Sequence, residues 1–244
     1  MHDTALALDV HNRLLAHYDV DRWHWRADTP PLDVCIGAIL VQHTAWANVE
    51  HALANLRRLP ELTPQALLAL SEEELAVLVR PAGTPLTKAR RLQTLASVVV
   101  EHGGFDRLLA SDTPALRRIL LATPGIGPET ADVILLYAAG KPVIVHDAYT
   151  ARLYRRLGAG PDGSRYDTWQ TWLDSVMPAS LDYRWRDHAA IVIHCKETCR
   201  VKPKCQTCPL LDICRHGQES LANGQTDKGA GLTPLAELGE GAGG

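Results

Sequence analysis

Two prolines and two glycines fall within five consecutive positions, Pro124-Gly125-Ile126-Gly127-Pro128, in the stretch TPGIGPETA. Glycine permits positive φ or a close backbone approach, and proline suits the first turn of a helix. Helical patterns run on both sides. Upstream, DTPALRRILLA reads as a helix capped by Thr113, started by Pro114 and burying Leu116, Ile119 and Leu120. Downstream, Ala131, Ile134, Leu135 and Ala138 form a buried stripe that Gly140 and Pro142 end. The stretch is therefore a tight turn between two helices. Such a turn either aims free N–H groups and a positive dipole end at one spot, which suits a phosphate, or simply packs two helices closely.

The remaining sequence keeps to the same idiom. Thr63 and Pro64 start one helix, and Ser71 with Glu74 forms a capping-box pattern ahead of Leu75, Leu78 and Val79. Alternation with period two is confined to PVIVH, so the chain reads as all-α. No run of eighteen apolar residues occurs, and the N-terminus lacks a basic start followed by an apolar core. The expectation is a cytoplasmic monomer with no membrane partner. A net charge of −3 leaves room for a local basic patch. The stretch from Gly217 to Gly244, rich in Gly, Ala and Glu and without aromatics, reads as a disordered tail.

Of six cysteines, four follow the spacing Cys199-x5-Cys205-x2-Cys208-x5-Cys214. Four thiolates so close together point to a metal centre, either tetrahedral zinc or a cubane iron–sulfur cluster. Zinc sites usually pair two C-x2-C units, and only one pair here has that spacing, so the wider 4Fe–4S cluster is favoured. Cys195 is an alternative first ligand, and Cys35 within LDVCIGAIL reads as a buried small residue. Arg200, Lys202 and Lys204 place positive charge in the first loop of the cluster, either as a solvated face or as contacts for phosphates. In PVIVHDAYTARL, Asp147 closes an apolar run and opens a helix, where it is an N-cap or a functional carboxylate. His43 and His146 flank these motifs, each as a structural residue or a tuner of proton affinity.

Taken together, the PGIG turn, Asp147 and the cysteine run resemble the helix-hairpin-helix DNA glycosylases of the endonuclease III superfamily, from about Leu14 to Cys214. GIG-x-E-[ST]-AD in the hairpin, VRPAGTPLTKARRL and AILVQHTAWANVE are most similar to its 3-methyladenine glycosylase-like branch. The first cysteine gap is one residue shorter than in endonuclease III, which alters the local loop. The resemblance implies a two-lobed helical fold with a 4Fe–4S cluster domain. An N-terminal helix (1–28) would join a second lobe (141–216) carrying Asp147 and the cysteines, beside a helical domain (29–140) holding the hairpin.

It implies roles as well. Gly125, Ile126 and Gly127 would grip the DNA backbone, with Arg200, Lys202 and Lys204 adding contacts. Gln42 would fill the space of a base flipped from the stack, and Trp25 (or Trp23) with Trp46 would sandwich that base. Asp147 would serve glycosidic cleavage, with Glu129 as a second acid. Bifunctional members carry a lysine where this chain has Glu129, and a carboxylate cannot form an imine with the sugar. Lys141, nearby, is a less suitable substitute amine. The implied partner is double-stranded DNA containing damaged bases. The implied activity is monofunctional excision of an alkylated purine. Alternatives are excision of oxidised pyrimidines with little or no strand-cutting activity, or lesion binding without catalysis.

Overall fold

The computed structural model describes residues 2–223, and every regular element among them is helical. They are α1 (His2–His17), α2 (Pro31–Leu40), α3 (Trp46–Leu56), α4 (Pro64–Ala69), α5 (Glu72–Val79), α6 (Pro85–Glu101), α7 (Phe105–Ala110), α8 (Thr113–Ala122), α9 (Pro128–Val133), α10 (Ala148–Leu157), α11 (Tyr166–Val176), α12 (Leu181–Glu197) and α13 (Arg215–Ala222), with short 3-10 turns between some of them. The chain divides into two compact units. One is His24–Val143; the other joins the residues up to Trp23 to those from Ile144 onward. The boundaries thus fall at 23 and 143, where sequence had placed them at 28 and 140.

Within His24–Val143, α2 is the central helix: Val34 through Leu40 are all buried. A helix apolar all round has no solvent face, so it must be enclosed, and α3, α6 and α9 pack against it. Local signals set the helix starts. The Thr63 side chain accepts the Ala66 N–H, and Ser71 and Glu74 bond reciprocally as a capping box. At α8 the cap is Asp112 and not Thr113: Asp112 Oδ1 accepts the Ala115 N–H at 2.7 Å. Thr113 is the first helical residue and Pro114 the second, since proline is tolerated through the first turn. Of the expected inward residues there, Leu116 and Leu120 are buried and Ile119 is half-buried. Across the hairpin, Arg117 on α8 holds fully buried Asp132 on α9 through two bonds of 2.8 and 3.1 Å. The forked guanidinium matches the carboxylate, so the pair fixes the angle between the two helices.

In the other unit, α12 is buried along most of its length and packs against α1 and α10. His11 of α1 meets Asp187 of α12 at 3.0 Å, and the Tyr18 hydroxyl bridges His194 Nδ1 (3.0 Å) and Thr198 Oγ1 (2.8 Å). Residues 217–222, expected to be disordered, instead belong to α13, which carries the Cys214 cap and packs against α10. The rest of that tail, from residue 224, lies outside the described residues.

Candidate active site and cysteine cavity

The hairpin is built by Gly125 at φ +89°, a conformation that side chains rarely adopt. Ile126 donates its N–H to Thr123 O at 3.1 Å and buries its side chain; Gly127 is the N-cap of α9, and Ala131 N–H bonds back to its carbonyl. Glu129 is exposed in the first turn of α9, where negative charge suits the helix start. The following turn, Ile134–Ala138, is a π-helix, with Ala139 N–H bonded to Ile134 O at 3.0 Å.

Gln42 lies in the loop after α2, and both ends of its amide are held. Nε2 donates to Thr130 Oγ1 at 3.0 Å, and Arg91 Nη1 donates to Oε1. This accounts for a glutamine beside an apolar helix. Lys88, 2% exposed, donates to three carbonyls, Leu40 O and Gln42 O at 2.9 Å and Ala82 O at 2.6 Å. Burial, reinforced by Arg91, pulls its pKa below the usual lysine value. His43, next along the loop, is exposed and has φ 57°.

The two tryptophans of WHW go to different units. Trp25 meets Trp46 edge to face at 5.5 Å and tilts against Tyr137 at 5.1 Å, while Trp23 meets His188 edge to face at 5.8 Å in the other unit. Trp25 and Trp46 therefore do not form parallel plates. His24 stacks on Trp46, with ring centroids 3.4 Å apart and planes at 19°. Gly37 of α2 makes room for the cluster: a Cβ there would lie 3.0 Å from Trp25 Nε1 and 3.1 Å from Trp46 Cη2.

Asp147 belongs to the second unit and is both a cap and a buried carboxylate. Its Oδ1 accepts the Thr150 N–H (2.7 Å) and hydroxyl (2.8 Å), while Oδ2 lies 3.6 Å from His188 Nε2. Burial alone would raise its pKa. The His188 hydrogen bond and charge and the two Thr150 bonds outweigh it, leaving the group below the usual carboxylate range. His146 beside it is buried, stacked on Trp169 at 5.2 Å, with no hydrogen-bond partner for either ring nitrogen.

Cys199, Cys205, Cys208 and Cys214 all line one cavity, with Arg156, Lys204 and His216 around them. Cys195 does not line it and donates to Tyr149 O at 3.6 Å. Arg156 Nη1 donates to Cys199 Sγ at 3.1 Å, and Gly217 N–H to Cys214 Sγ at 3.4 Å, contacts that favour thiolate. The Cys195 thiol, His194 and Arg156 hold Cys199 well below its ordinary pKa, whereas burial pushes Cys208 up to about 11. Arg152 and Arg156 also bind the carbonyls of Cys195, Cys199, Arg200 and Val201, shaping the loop. Arg200, Lys202 and Lys204 are exposed on it. Among the described residues no three His, Cys, Asp or Glu side chains converge to hold a single metal ion.

One unit thus brings the hairpin, Glu129, Gln42, Trp25 and Trp46 onto one scaffold; the other holds Asp147 and the four cavity cysteines. Sequence reasoning missed Gly37, Lys88, Arg91, Thr130 and His188. Only Lys88 left a mark, as a charge on the Leu92-Leu95-Val99 stripe of α6.

An all-helical chain with a glycine hairpin clamped between paired helices and a helix-capping aspartate shortly after it has the architecture of a DNA glycosylase. Residues 36–176 match the HhH-GPD superfamily of base excision DNA repair proteins. Over 208 residues, covering 84% of this chain and 94% of the relative, it is 39% identical to a candidate DNA repair glycosylase of Methanocaldococcus jannaschii. It is similar in structure to the H. pylori 3-methyladenine DNA glycosylase bound to 1,N6-ethenoadenine (TM-score 0.68, 25% identity, 80% of this chain and 97% of that one). A non-covalent endonuclease III–DNA complex is matched at TM-score 0.69 and 25% identity, over 80% of this chain and 87% of that one. The chain belongs to the HhH-GPD superfamily and is a DNA glycosylase. None of its described helices is long and apolar enough to cross a membrane.

Proposed function

We propose that the protein binds damaged duplex DNA and excises an alkylated purine by hydrolysing its N-glycosidic bond, without cutting the strand. The observation that carries this reading is Asp147, buried and held ionised, with Oδ1 committed to the helix cap and Oδ2 turned to His188. Cleavage passes through an oxocarbenium-like sugar, which an anion stabilises; the same carboxylate orients or deprotonates the attacking water. A ring-alkylated purine is cationic and leaves without a general acid, so one such carboxylate suffices. Glu129 is the lesser candidate for a second acid. Its carboxylate also supports the absence of lyase chemistry, since no imine forms there.

Trp25 and Trp46 supply electron-rich faces for the everted base. Stacking of this kind contributes about 1–3 kcal/mol per base. His24 lies where a planar ring stacks on Trp46, and an incoming base would take its place. Gly125, Ile126 and Gly127 receive the DNA backbone, Gln42 enters the emptied stack, and Arg200, Lys202 and Lys204 add phosphate contacts. Cys199, Cys205, Cys208 and Cys214 would hold a 4Fe–4S cluster: all four line one cavity, and four thiols are the donor set such a cluster takes. Bound there, such a cluster would anchor the basic loop that carries Arg200, Lys202 and Lys204.

Similarity to proteins named endonuclease III, among them one of Treponema pallidum at 29% identity over 192 residues, supports a second reading in which the base is an oxidised pyrimidine. Duplexes carrying alkylated purines, oxidised pyrimidines or an abasic site separate the readings when released base and strand breaks are scored with and without alkali. Alkylpurine release with alkali-dependent breaks is the expected result. Release of oxidised pyrimidines alone selects the second reading, and tight binding without release leaves a lesion-binding protein. Asp147→Asn keeps a good helix cap and removes the charge. If it releases base as fast as the parent, the mechanism is wrong.

A further inference from the structure

Arg91 touches two parts of the molecule that the proposed function treats separately. Its stem runs across the hairpin: a Cβ on Gly125 would clash with Arg91 Cγ and lie 2.7 Å from Cδ and 2.8 Å from Nε. Its Nη1 donates to Gln42 Oε1, while Gln42 Nε2 is held by Thr130, two residues into the helix after the hairpin. Lys88, one turn earlier on α6, pins the Gln42 carbonyl and those of Leu40 and Ala82. The backbone of Gln42 is therefore fixed, and its side chain has freedom only if its two bonds are released.

We infer that Arg91 couples the hairpin to Gln42 by exchanging partners. Without DNA the guanidinium is occupied by the neutral Gln42 carbonyl. A phosphate arriving at Gly125–Gly127 reaches the same guanidinium and offers it a full negative charge and a bidentate acceptor, which the neutral Gln42 amide oxygen lacks. Arg91 moves to the phosphate, and Gln42 Oε1 is released at the moment the backbone is gripped. Gln42 and phosphate are thus competitors for one cation, and Arg91 is a positioning residue that acts through Gln42. The inference rests on reading the hairpin as the backbone grip and Gln42 as the inserted side chain.

Competition gives a signature that a packing role lacks, read by equilibrium binding to an undamaged duplex over a range of salt. Arg91→Ala lowers the slope of log affinity against log salt by about 0.9, the share of one phosphate contact. Gln42→Ala frees the guanidinium and tightens binding to undamaged DNA by about tenfold, the lower worth of a hydrogen bond to a charged group. In an Arg91→Ala background that gain disappears. Arg91→Lys keeps the charge and the stem over Gly125, so it retains the parental slope and guards against misreading a misfolded variant. An unchanged slope in Arg91→Ala overturns the inference, as does a Gln42→Ala protein that binds undamaged DNA no tighter than the parent. These readouts need no catalysis. A parent protein that releases no base would sink the glycosylase mechanism while the binding data still decide the role of Arg91.

Discussion

Replacing His146 with phenylalanine probes the surroundings of Asp147 through their acid response. The imidazole is buried against Trp169 and Tyr166. Burial pushes its pKa from 6.5 to about 4, against the pull of the Asp147 charge and with help from Arg155. In the unfolded chain the ring gains its proton near the ordinary value. Between the two values the unfolded state binds a proton that the folded state refuses, so falling pH favours unfolding. A gap of about 2.5 pH units at 1.36 kcal/mol each removes about 3 kcal/mol at the acid limit, and about 2 kcal/mol is lost already by about pH 5. Phenylalanine keeps the stack and cannot take the proton. It also removes two buried ring nitrogens that lack partners, for a gain of about 1 kcal/mol near neutrality. Urea denaturation of both proteins, followed by circular dichroism near pH 7 and pH 5, checks this. Acid-sensitive groups common to both cancel in the difference. The parent should lose about 2 kcal/mol more than His146→Phe across that interval. Parallel stability curves would refute the assignment of a neutral, proton-refusing His146.

Four further outcomes are expected. Cys199→Ser should purify with little iron and sulfide while Cys195→Ser retains both, as metal analysis will show; equal retention would move the first ligand. Gly37→Val would set a Cβ 3.0 Å from Trp25 and 3.1 Å from Trp46, forcing both rings to move, and should abolish base release while leaving affinity for undamaged duplex near the parental value. Arg117→Ala removes both guanidinium bonds to the buried Asp132 carboxylate and should cost about 3 kcal/mol in chemical denaturation. Glu129→Lys should yield a covalent complex with abasic DNA on borohydride treatment, and its absence would mean that position 129 is not directed at the sugar.

Helix starts were legible because each depends on three or four neighbouring residues. The Ser71–Glu74 box is such a case, and so is the Gly125 turn. Even there a one-residue ambiguity arose at α8, where Asp112 and Thr113 are both good caps and proline fits the first or second position. Asp147 and the four cavity cysteines were picked out as candidates by their types and spacing. The tryptophans were harder, since WHW offers two indoles and only long-range packing sends Trp25 to Trp46 and Trp23 to His188. The Gln42 network was illegible for the same reason: Lys88, Arg91 and Thr130 lie 46, 49 and 88 positions away. Gly37 left no local trace, because small residues are common in buried helices and its importance is the space it leaves to two distant rings.

The double duty of Asp147 changes how its identity should be weighed among relatives. As the cap of α10 it is held in place by folding, so a descendant that had stopped repairing DNA would still gain from a capping residue there. Serine and asparagine satisfy that need about equally, and threonine nearly so. On the proposed mechanism the chemistry resides in the choice among caps, and a single letter would separate a working enzyme from a well-folded binding protein. The same economy gives experiment a clean tool, since Asn at 147 silences the carboxylate and leaves the scaffold standing.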